Sequence, residues 1–137
     1  MRLSPFSIFS NPADGNLFTR YFDEGLNKNI LDKVATKCYL PTNAILLEAL
    51  EKNPELKLSF SLTGVFLEQA KLYNRQVLES FRALSKTGRV EFLSETYYHS
   101  LSSLFEGKDE FAAQVELHRK AISEFASPSA VLRNTEA

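Results

Sequence analysis

The sequence predicts an α/β fold in which mainly parallel strands alternate with helices. Three observations predict it. Residues 56–62 alternate apolar and polar without a break, whereas the segments on either side follow the helical period. The strand-like segments are separated by helical stretches too long for hairpins, so the chain must cross over and the sheet should be parallel. Finally, each predicted strand ends in a polar or turn-forming group of residues, where an α/β sheet carries its chemistry.

Phe6, Ile8 and Phe9 predict a first strand near residues 4–9, ended by Ser10-Asn11-Pro12 and a turn at Asp14-Gly15. The loop that follows carries Phe18, Tyr21 and Phe22, three aromatics that need cover. From Asn27 the period is helical, with Ile30, Leu31, Val34 and Cys38 on one face. This helix should stop before Pro41, because a residue preceding proline disfavours the helical region. Thr42 should cap a second helix with Ile45, Leu46, Ala49 and Leu50 as its stripe, ended by Asn53-Pro54. The strand at 56–62 points Leu56, Leu58, Phe60 and Leu62 one way and Lys57, Ser59, Ser61 and Thr63 the other.

Gly64 opens a helical region that ends with Val77, Leu78, Phe81 and Leu84 before the stop at Thr87-Gly88. A third strand near 90–96 runs into Glu95, Tyr97, Tyr98 and His99. After Gly107 a helix with Phe111, Val115, Ile122 and Phe125 inward leads to a fourth strand near 130–134. His118 reads as a helix-face histidine, and Cys38 as core.

The 137 residues suit a single domain spanning 1–137. A formal net charge of −1 and the absence of any Lys/Arg run argue against nucleic acid as a partner. No apolar run is long enough to span a bilayer, and the N-terminus lacks a signal-peptide core, so a cytoplasmic protein is expected, not a membrane protein. One cysteine permits no internal disulfide and no cysteine-based zinc site. His99 alone cannot supply the His/Asp cluster of a metal centre, and no Gly-rich phosphate loop is present, so neither metal nor cofactor is expected.

Several stretches resemble the N-terminal part of glycoside hydrolase family 57, nearest its α-amylase-like branch. They are Tyr21-Phe22-Asp23-Glu24, Lys37-Cys38-Tyr39-Leu40-Pro41, Ser59-Phe60-Ser61, Glu91 to Leu101, and Leu132-Arg133-Asn134-Thr135-Glu136. The resemblance runs in order over nearly the whole chain. It implies a partial (β/α)7-type barrel, here about four parallel strands with intervening helices, acting on an α-glucan or maltooligosaccharide. It also implies a retaining mechanism with a glutamate nucleophile and an aspartate acid/base.

By the same resemblance Glu136 takes the nucleophile position, and a carboxylate there could form and release a glycosyl ester. His99 matches a sugar-contacting histidine, with Glu95 binding sugar or orienting His99. Tyr97 and Tyr98 are candidates for stacking on sugar faces or, equally, for packing into the core. Ser10 and Asn11 stand at the sugar-binding end of the first strand, where the family has His-Gln. The chain ends at Ala137, before any strand that would bear the acid/base aspartate, so a truncated product is expected. Two function classes follow: an α-glucan-active hydrolase or transferase, or a non-catalytic remnant that binds carbohydrate weakly, pairs with another chain or does nothing. Open sheet edges should favour self-association.

Overall fold

The alternation at 56–62 is kept in the fold, although only its middle forms hydrogen-bonded strand. The computed structural model describes residues 21–134. Its elements are α1 (Glu24–Val34), a π-helical segment (Ala35–Tyr39), α2 (Leu40–Lys52), β1 (Leu58–Phe60), α3 (Gly64–Tyr73) and α4 (Arg75–Ser85). There follow β2 (Val90–Ser94), a 3-10 turn (Ser102–Leu104), α5 (Asp109–Ser123) and β3 (Pro128–Leu132). The strand expected near 4–9 lies outside the described residues.

The three strands are parallel and in sequence order, β1-β2-β3. Leu58 pairs with Val90 and Phe60 with Phe92, so the apolar side of β1 continues across β2. The β2–β3 ladder is irregular: three residues of β2, Phe92 to Ser94, face five of β3, Pro128 to Leu132. The Ser94 hydroxyl bridges this break by donating to the Ser129 carbonyl at 2.9 Å.

Helices pack on the Phe60/Phe92 side. The Phe60 and Phe92 rings stack at 5.8 Å, Phe81 of α4 meets Phe60 edge-on at 5.4 Å, and Phe125 meets Phe92 edge-on at 5.2 Å. Leu50, Leu67, Val77, Leu84 and Ile122 fill in around them. Ser59 and Glu91, on the other side of the sheet, are exposed. Caps define the helix starts. The Asp23 carboxylate accepts from the Leu26 N–H at 2.8 Å, and the Thr63 hydroxyl accepts from the Phe66 N–H at 3.1 Å. Gly88 takes φ +69 in the turn predicted to end α4.

Two expectations are corrected at the first helix pair. The helix does not stop before Pro41, and Thr42 caps nothing; helical backbone runs from α1 into α2. Proline lacks an N–H, and in an α-helix its ring collides with the carbonyl four residues back. Here the Leu40 N–H donates to the Ala35 carbonyl, five residues back, and this wider π turn leaves room for the ring. The extra residue also turns the buried face. Asn27, Leu31 and Ala35 point inward, while Cys38, expected in the core, is exposed.

A similar correction applies to α5. Its fully buried stripe is Gln114, His118 and Ile122, with Phe111 and Val115 only half-buried.

Phe92 stands at the centre of the aromatic cluster and is almost wholly buried. Phe92→Ala should therefore cost about 3–5 kcal/mol through lost burial and the cavity left behind. Urea unfolding followed by circular dichroism measures it. A loss under about 1 kcal/mol, far below the range for a core Phe→Ala change, would show that the core lies elsewhere.

Candidate functional site

Parallel strands end at the same edge of their sheet, so the residues just past β1, β2 and β3 are brought together. Here those residues are Ser61, Glu95 and Arg133. Glu95 is 0% exposed. Its Oε1 accepts from the Ser61 hydroxyl at 2.7 Å, and its Oε2 lies 3.2 Å from His99 Nδ1. Arg133 Nη1 donates to Ser61 Oγ at 3.3 Å and stands 4.0 Å from Glu95 Oε2. The three strand ends are thus tied through one carboxylate. A buried carboxylate is tolerated only when such partners replace water.

His99 and Arg133 are not buried with it. The side chains of His99 and Arg133 are 44% and 45% exposed. Each has one side on Glu95 and the other open to a ligand. His99 takes φ +54, the left-handed region, at a cost of about 1–3 kcal/mol for a residue other than glycine. The turn is held by the His99 N–H donating to the Thr96 carbonyl and the Ser100 N–H donating to the Thr96 hydroxyl, both at 3.0 Å. That turn brings the imidazole back over the strand end.

Beneath the cluster lies His118 of α5, also 0% exposed. Its Nε2 is 2.7 Å from the Leu62 carbonyl, and its Nδ1 is 3.4 Å from the Glu95 backbone nitrogen. A carbonyl only accepts and an amide N–H only donates, so both bonds require the proton on Nε2.

The structure places Glu95 and His99 together, as the sequence suggested. Tyr97 goes elsewhere. It is 5% exposed and its ring lies flat against Gly64, where an added Cβ would come within 2.2 Å of a ring carbon. Its hydroxyl is bonded to the Glu68 carboxylate on α3. Tyr98 is the exposed member of the pair. Ser10, Asn11 and Glu136 lie outside the described residues. Sequence reasoning did not single out Ser61, Arg133 or His118 as site residues. For Ser61 the signal was its place on the polar side of the alternating strand. For His118 it was the four-residue spacing from Gln114 and Ile122.

A separate groove of 330 Å³ opens among α3, α4 and α5, lined by Glu68, Lys71, Arg82, Tyr97 and Glu124 among others. Four of its charges are paired with one another, Lys71 to Glu124 at 2.7 Å and Arg82 to Glu79 at 2.5 Å. Among the described residues no three His, Cys, Asp or Glu side chains stand close enough to hold a metal ion, and no helix is long and apolar enough to cross a membrane.

Burial, then the hydrogen bond to Glu68 and its negative charge, hold the Tyr97 phenol well above its ordinary value of 10. The folded state therefore favours the neutral phenol. Its contribution to stability is complete below pH 10 and is lost as pH rises further. Melting temperatures followed into this alkaline range should fall, and Tyr97→Phe should make the fall shallower. Burial raises Tyr39 and Tyr73 as well, so some slope remains. An alkaline slope identical in the two proteins would contradict this account of Tyr97.

Comparison with known proteins gives a consistent picture. The model of the family described as glycosyl hydrolase family 57 matches residues 8–137. A protein of Methanocaldococcus jannaschii named "Putative alpha-amylase" is 48% identical over 127 residues, covering 92% of this chain and 27% of that protein. The chain thus spans about a quarter of this relative's length. The crystal structure of 4-alpha-glucanotransferase from Thermococcus litoralis superposes with a TM-score of 0.60 at 20% identity. The match covers 74% of this chain and 15% of that one. At that identity the likeness is one of fold.

Proposed function

Given that the chain belongs to glycosyl hydrolase family 57, we propose that it supplies the sugar-binding strand ends of an α-glucan-active, α-amylase-like barrel enzyme. The observation that carries this reading is the Glu95-centred cluster. A buried carboxylate directs two half-exposed donors, His99 and Arg133, to the edge where three parallel strands end. Sugar hydroxyls are recognised by such fixed donors, and fixing them beforehand lowers the entropy cost of binding. The names of the relatives, "Putative alpha-amylase" and 4-alpha-glucanotransferase, support α-glucan as the substrate class.

In this reading Glu95 is a positioning residue. It is fully buried and engaged by Ser61, His99 and Arg133, and no face of it is left for sugar. Glu136, three residues past Arg133, is the proposed nucleophile. Ser10 and Asn11 would add sugar contacts from the preceding strand, and Tyr97 would support the loop that carries His99. The exposed side of the sheet, with Ser59 and Glu91, would face the interior of a partial barrel. Among the described residues β3 pairs only with β2, and its outer edge is where a further strand or a second copy would add.

A retaining glycosidase needs two carboxyl groups about 5–5.5 Å apart. Glu95 cannot be the second, because its burial and partners leave it no approach to a glycosidic oxygen. Nearly three quarters of the relative's length has no counterpart in these 137 residues.

Titrating the isotope-labelled chain with maltoheptaose should shift the resonances of Ser61, Glu95, His99 and Arg133. His99→Ala and Arg133→Ala should each weaken binding about tenfold, or about 1.4 kcal/mol. Shifts confined to other regions, or none into the millimolar range, would overturn the reading. In parallel, hydrolysis of a chromogenic α-glucoside should be no faster than with Glu136→Gln. Turnover clearly above that variant would show that the catalytic pair is complete in this chain.

A further inference from the structure

Hydrogen-bonded pairing between β1 and β2 stops at Phe60 and Phe92. Beyond that pair β1 has ended while β2 continues to Ser94 beside β3, and nothing in the β1–β2 ladder sets how far apart Leu62 and Glu95 stand. His118 sits in that gap. Its imidazole is fully buried and joins the Leu62 carbonyl at 2.7 Å to the Glu95 N–H at 3.4 Å. An apolar side chain of similar size would fill the space but leave both backbone groups unsatisfied.

We infer that His118 is a positioning residue for the strand-end site: its neutral Nε2–H imidazole extends the β1–β2 pairing and aims the Glu95 carboxylate at Ser61, His99 and Arg133. Both ends of its bridge matter to the cluster. Leu62 directly follows Ser61, whose hydroxyl bonds Glu95 Oε1, and the Glu95 N–H belongs to the residue being aimed. The alignment stands on this geometry alone; its consequence for glucan binding rests on the function proposed above.

The test begins with the wild-type chain. Imidazole 1H–15N spectra at mildly alkaline pH should show His118 with its proton on Nε2, and the Glu95 amide should exchange slowly with solvent. The opposite tautomer or a rapidly exchanging amide would overturn the inference. Two variants then separate the bonds. His118→Gln places a donor where Nε2 was, keeping Leu62 and losing the acceptor for Glu95. His118→Asn keeps that acceptor and loses Leu62.

If His118 aims Glu95, His118→Gln moves the imidazole 15N resonances of His99 away from their wild-type positions. It also weakens maltoheptaose binding about two- to tenfold, the range for one hydrogen bond. His118→Asn restores the His99 signals toward wild type. Unmoved His99 resonances in His118→Gln, with fully retained affinity, would reduce His118 to a packing role and overturn the proposal. Should maltoheptaose bind to no form of the chain, the glucan reading fails while the His99 signals still decide the positioning role. If either variant does not fold, the wild-type tautomer and the Glu95 amide decide it.

Discussion

A carboxylate with no exposure to water must find its hydrogen bonds inside the protein, and much of this structure follows from how Glu95 does so. The cost of burying it unpaired is several kcal/mol. Ser61 is drawn from the end of β1, Arg133 from the end of β3, and His99 from the loop that Glu95 itself begins. The left-handed backbone at His99 is tolerated because it lets the imidazole reach that carboxylate. A turn that looks strained in isolation is thus part of a larger arrangement that is satisfied.

The same strand edge is supported from two other directions. Below it, His118 of α5 joins the two chains where their ladder ends. Beside it, Tyr97 is wedged between Gly64 and Glu68, so the start of α3 and the loop after β2 share one packing site. Gly64 has to be glycine for that ring to lie where it does. On the helical side of the sheet, the Phe60, Phe81, Phe92 and Phe125 cluster makes a rigid base. The polar edge is therefore held by packing beneath it and by hydrogen bonds within it.

Parallel sheets are ordinarily covered on both sides. The described helices cover the aromatic side, and Ser59 and Glu91 on the other side are exposed. Membership of glycosyl hydrolase family 57 and the fold shared with a glucanotransferase give this asymmetry a context. The matched region is 27% of one relative and 15% of the other, so most of the length of those proteins has no counterpart here.

The periods in the sequence determined the class of fold, the three strands within residues 21–134 and their parallel order, because alternation and helical spacing are local properties of the chain. The polar strand ends likewise marked Glu95 and His99. Local signals misread Pro41, where a five-residue turn absorbs the proline ring, and so also misplaced Cys38, since one inserted residue rotates the helix face. They misread the inward face of α5 because Phe111 and Val115 are more apolar than Gln114 and His118, and apolarity was the guide. Only the tertiary structure could decide that the polar stripe goes inward. The backbone groups that need His118 are on Leu62 and Glu95, 56 and 23 residues away in the chain. Nor could the chain alone separate Tyr97 from His99 or bring Ser61 and Arg133 to Glu95, because strand pairing sets those distances and spacing along the sequence does not.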